Sequence, residues 1–85
     1  MVKKIVDANA FETAQWGVIR LKGVDISWMN PEQKEKAIHR LGELVWRETV
    51  KIEVDGREMK SGCEAKVRLG KTDVNEEMKR FLMRL

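Results

Sequence analysis

Between Pro31 and Glu48 the apolar residues Ala37, Ile38, Leu41, Leu44 and Val45 recur at the period of a helix with one buried face. Ahead of them Asn30 is suited to cap, Pro31 fits the first helical position, and Gln33 stands where a capping box needs it. The pattern predicts a helix from Pro31 to about Glu48. A second helix is expected to begin at Asp73, with Glu76 completing its start, and to run to the chain end. Its stripe is Val74, Met78, Phe81, Leu82 and Leu85. So short a helix needs a surface to dock on.

Between the two helices the period changes to two. Val50, Ile52 and Val54 share one face, and Met59, Ser61, Cys63, Ala65, Val67 and Leu69 form another alternating run. Asp55-Gly56 is a strong hairpin signal, and a two-residue turn there would set Ile52 opposite Met59 and Glu53 opposite Glu58. Ser61-Gly62 reads as a bulge or a second turn. Near the N-terminus, Val2 to Val6 reads as an edge strand and Trp16 to Lys22 as another, with Ile19 and Leu21 facing in. The segment "DANAFETAQ" fits a turn plus strand or one turn of helix, and Gly23 breaks the phase before Val24, Ile26 and Trp28.

The expected order is β-β-α-β-β-α: an α+β two-layer domain in which an antiparallel sheet of about four strands carries both helices on one face. At 85 residues the chain is expected to be a single domain, 1–85, with a small core. Its longest apolar runs are far short of the roughly 18 residues of a membrane span, and no hydrophobic stretch follows Lys3 and Lys4 as in a secretory leader. With Cys63 as the one cysteine, no intramolecular disulfide can form, so a cytoplasmic protein is expected.

The inventory for catalysis is thin. His39 is the single histidine and falls on the polar face of the first helix with Glu32, Glu35, Lys36 and Glu43. Cys63 falls in phase with Ala65 and Val67, the pattern of a small buried hydrophobe, and His39 faces away from it. Neither phosphate-binding glycine pattern occurs. No catalytic residue, cofactor or metal ligand is therefore assigned, and a non-enzymatic protein is expected.

Two features point outward. Extrapolated along the first helix, Trp46 lies about 140° from the centre of the buried face, beside Glu35, His39 and Gly42. Met83 is likewise off the stripe of the last helix. Trp46, His39, Glu35 and Met83 are the candidate partner-binding residues, because tryptophan and methionine are enriched in interface cores. A glycine in mid-helix costs about 1 kcal/mol relative to alanine, which suggests that something approaches closely at Gly42. Three coverings of Trp46 are open: the chain's own first 29 residues, a second copy in a homodimer, or a foreign protein.

The other feature is charge. Net charge is +3, with nine basic and nine acidic residues over 1–56 and eight against five over 57–85. Lys60, Lys66, Arg68 and Lys71, followed by Arg80 and Arg84, make nucleic acid the alternative partner. Against it, Lys51, Glu53, Asp55, Glu58 and Glu64 share the strand face, and no named nucleic-acid module is spelled out. A compact phage or mobile-element regulator fits the same outline, as do many other small domains.

Overall fold

The computed structural model describes residues 1–53 and 63–85. In chain order it contains β1 (Val2–Asp7), β2 (Ala10–Thr13), β3 (Gly17–Leu21), α1 (Pro31–Val45), β4 (Lys51–Glu53), β5 (Cys63–Leu69), β6 (Thr72–Asp73) and α2 (Val74–Leu82). The expected α+β class stands, but the sheet is mixed and has six strands among the described residues, in the order β1-β2-β3-β5-β4 with β6 also on β5. The correction to an all-antiparallel sheet lies at its centre: β3 and β5 run parallel, Ile19 beside Cys63 and Leu21 beside Ala65. A parallel pair needs a crossover, and α1 supplies it.

The local chemistry of both helix starts is as the sequence indicates. The Asn30 side chain accepts from the Gln33 N–H at 2.8 Å while the Gln33 side chain accepts from the Asn30 N–H at 3.0 Å. Asp73 accepts from the Glu76 N–H at 3.1 Å. "DANAFETAQ" resolves as a turn and a strand, with Asp7 opposite Ala10. The expected register of Ile52 with Met59 is replaced by Ile52 with Val67 and Glu53 with Lys66, eight residues further along. The Asp55-Gly56 and Ser61-Gly62 turns and the Glu58 pairing lie outside the described residues.

After Leu21 the chain does not resume a strand. Gly23 adopts φ +79°, the left-handed conformation open to glycine at little cost, and the backbone turns through Asp25 to Asn30. Asp25 accepts from the Ser27 N–H at 2.9 Å, and Ser27's backbone and side-chain hydrogen bonds hold its exposed carboxyl below the usual carboxylate range. Val24 and Met29 from this loop are buried with the core.

One face of the sheet, carrying Phe11, Ile19, Leu21, Ala65 and Val67, joins Ala37, Leu41 and Val45 of α1 and Val74, Met78 and Leu82 of α2 in a single cluster. The sheet is strongly curled. Val2, on the edge strand β1, donates to the Glu48 carbonyl at 3.1 Å and accepts from the Arg47 N–H at 3.2 Å. Three residues after Glu48 the chain enters β4, the opposite edge. Three residues reach about 10 Å at most, whereas five flat strands would separate the outer two by about 19 Å. Two register irregularities in β1, between Val2 and Lys4 and between Ile5 and Asp7, are bulges of the kind that bend and twist a strand.

Gly42 meets this curled edge. A Cβ placed there would sit 3.8 Å from Ile5 of β1, an ordinary contact. The approach inferred from the glycine is therefore made by the chain's own first strand, yet it leaves room for a methyl group. Gly42→Ala is expected to raise stability by about 0.5 to 1 kcal/mol through helix propensity alone. A thermal melt would show it, and a lower Tm would mean that the contact is tighter than the geometry indicates.

Candidate functional site

The first helix ends sooner than its apolar period implies. Its last residue is Val45, and Trp46 is the C-cap, with φ −56° and ψ 123°. Arg47 follows at φ +59°, and the Glu48 N–H donates to the Val45 carbonyl at 2.9 Å. These values describe a type II turn, whose third position favours glycine because it needs positive φ. Arginine occupies it instead, and its guanidinium lies 5.9 Å from the centroid of the Trp46 ring, within cation–π range.

The expectation that the helix continues through Trp46 is thus corrected, and with it the 140° placement. Backbone hydrogen bonds to Val2 fix the turn at the place where the two sheet edges approach. The first strand covers the helix at Gly42 but leaves Trp46 47% exposed.

The other candidate partner-binding residues are not gathered around Trp46. Glu35 and His39 line an open depression of about 540 Å³ between the helices, with Phe81 of α2 on its other side. His39 Nδ1 lies 3.4 Å from Glu43 Oε1, one helical turn away, and both groups are well exposed. Such a pair contributes little to stability. Met83, 86% exposed, shares a shallow hollow with Trp28, Val24, Asp25, Lys79 and Leu82. Trp28 precedes α1 and Trp46 follows it, so the helix length, about 22 Å at 1.5 Å per residue, separates the Met83 hollow from Trp46.

The basic candidates divide as well. Lys66 and Arg68 project from the sheet face opposite the core; Arg68 is level with Lys51, and Lys66 with Glu53. Glu64 lies on that same face of β5, level with Arg20. Lys71 is in the turn between β5 and β6. Arg80 belongs to α2, on the core side of the sheet, and is 3.3 Å from Glu77, while Arg84 follows the end of that helix, which stops at Leu82 short of the expected chain end. Hence the described basic residues do not make one surface, and acids interrupt the part that lies on the sheet. Lys60 lies outside the described residues. Cys63 opens β5 beside Ile19, its side chain also outside them.

Several informative residues do not stand out in the hydropathy pattern. Trp16, in the β2–β3 turn, is 42% exposed, and Trp28 is 52% exposed, held by an Nε1 hydrogen bond to the Asp25 carbonyl at 2.9 Å. All three tryptophans are therefore outside the core, whose largest members are aliphatic, Phe11 and Met78. Alternation placed Trp16 and Trp28 with strand residues, and only the loop geometry shows them as outward. Dilute native protein is expected to have its tryptophan fluorescence quenched by acrylamide nearly as readily as the unfolded chain. Strong protection would show that these rings are covered.

Among the described residues no group of three or more His, Cys, Asp or Glu side chains is placed to hold a metal ion. No described helix is long and apolar enough to cross a membrane. Compared with protein-family models, curated proteins and solved structures, the chain matches none of them.

Proposed function

We propose that this is a small non-enzymatic binding or regulatory protein that acts through protein contacts. The observation that carries the reading is the outward placement of every tryptophan together with Met83. Burying a large aromatic side chain is among the most favourable contributions a small core can receive. A marginal fold that leaves all three exposed forgoes that contribution. Partly exposed tryptophans are the groups that most often dominate binding energy once a partner desolvates them.

Affinity capture, with and without nuclease, on wild type, Trp28→Ala and Trp46→Ala tests the reading. The expected result is a protein partner retained after nuclease and lost when the relevant tryptophan is removed. Capture that disappears with nuclease would overturn it and favour nucleic acid held by Lys66, Arg68 and the other basic residues. In that case charge reversal at Lys66 and Arg68 should weaken binding and flatten its salt dependence.

A further inference from the structure

The turn after α1 carries an apolar centre and two charges of opposite sign, all turned to solvent. Trp46, Arg47 and Glu48 are each exposed. Neither Arg47 nor Glu48 makes a salt bridge among the described residues, although salt bridges are numerous elsewhere on the surface. The same end of the sheet presents further apolar surface. Met1, 62% exposed, accepts from the Ala14 N–H at 3.3 Å, and the Trp16 N–H donates to Thr13 Oγ1 at 2.8 Å in the turn that follows.

Arg47 is the second observation. Its left-handed backbone carries the Cβ penalty that glycine would avoid, and glycine would fit this type II turn without strain. What glycine would lack is the guanidinium stacked on Trp46.

We propose that the Trp46–Arg47–Glu48 turn is a two-fold interface between copies of this chain. A two-fold axis brings a patch onto itself, so a patch that contains adjacent positive and negative charges around an apolar centre is complementary to its own image. Arg47 of each copy then meets Glu48 of the other, and the two Trp46 rings are desolvated between the pairs. A foreign partner would have to bring both an acid for Arg47 and a base for Glu48, whereas a second copy supplies the two from residues already present in the same patch. The inference rests on the protein-contact reading and names its partner as a second copy.

Sedimentation equilibrium over a wide concentration range, on wild type, R47E, E48R and the double swap R47E/E48R, is the test. Wild type is expected to dimerise reversibly, each single reversal to weaken association by about tenfold or more, and the double swap to restore it. Because the swap restores only a pairing between the two positions, recovery identifies this interface rather than a general charge effect. R47G separates the side chain's role from the backbone's: it should raise Tm by relieving the turn and still weaken dimerisation. Circular dichroism on each variant confirms that the fold is kept.

A wild type that remains monomeric at about 1 mM overturns the proposal, as does a dimer indifferent to all four variants. If the monomer still captures a protein through Trp46, the two-fold interface fails while the protein-contact reading survives. If it captures none, both fail.

Discussion

Replacing Asn75 with leucine is expected to lower stability by about 2 to 4 kcal/mol, more than any surface change in this chain. Asn75 is buried in the first turn of α2 and makes three hydrogen bonds. Its Oδ1 accepts from the Val67 N–H at 2.9 Å, and its Nδ2 donates to the Ala65 carbonyl at 3.0 Å and the Lys22 carbonyl at 2.9 Å. The position explains the number of bonds. On this side of β5, β3 leaves where the Lys22 N–H meets the Ala65 carbonyl, and β6 joins only at Arg68. The amide occupies the gap between them and completes the ladder that neither strand reaches.

Leucine shares asparagine's branching but is bulkier, and it would leave the Val67 N–H buried without an acceptor. N75D separates the two halves of the amide. A carboxylate can still accept from Val67, but it turns negative charge toward two carbonyl oxygens and is desolvated, so its pKa in the folded state is expected to rise. A group whose folded pKa is raised favours the native state in its protonated form. N75D should therefore regain stability as pH falls through that raised pKa, while N75L shows no such recovery. Urea titrations of both variants across pH measure this, and wild-type stability in N75L would show that the amide network is dispensable.

The second large effect is expected at Phe11. It is completely buried and stands between Ile5 on β1 and Ile19 on β3. Phe11→Ala removes apolar area and leaves a cavity that the sheet can only partly close, with an expected loss of about 3 to 5 kcal/mol. A domain of this length is held by roughly 4 to 13 kcal/mol in total, so the variant should lose a large share of its stability and melt far below wild type. Phe11→Leu, which keeps most of the volume, should fold with a reduced Tm. Equal stability of the alanine variant and wild type would mean that the core is not centred on this strand.

These two residues also mark where the sequence was legible. Phe11 sits in "DANAFETAQ", which admits strand or helix by period, and only pairing with both neighbours decides for strand. Asn75 flanks the apolar stripe of α2, one position on from Val74, and nothing local in the sequence reveals a gap between two strands distant from it. The helix starts were legible because their caps are contacts within four residues. The end of α1 was not, because no glycine or proline follows Val45 and the left-handed residue is an arginine.

The parallel β3–β5 pair was hidden for a related reason. Asp55-Gly56 suggests a tight hairpin by local chemistry, whereas the observed register is set by which β5 residues reach the core and by β3 alongside. At the candidate site Trp46 is exposed, but the helical geometry that predicts an outward face for it does not hold. Its exposure comes from the turn that ends the helix. The nearness of Met83 to Trp28 could not be read from the stripe of α2 or from the segment before α1 alone.

The bulged first strand has a bearing on how copies of this chain can meet. An exposed edge of a regular sheet invites a neighbouring molecule to add a strand, and such growth has no natural end. Here β1 is broken twice in register, carries Lys3 and Lys4, and has its Val2 hydrogen bonds already taken by Arg47 and Glu48. The opposite edge among the described residues is β4, Lys51–Glu53, whose flanks Lys51 and Glu53 are charged and exposed. Backbone templating is thus discouraged at the β1 edge, so that any contact made there falls to side chains, whose geometry can close as a finite pair where an open strand edge would extend into a fibre.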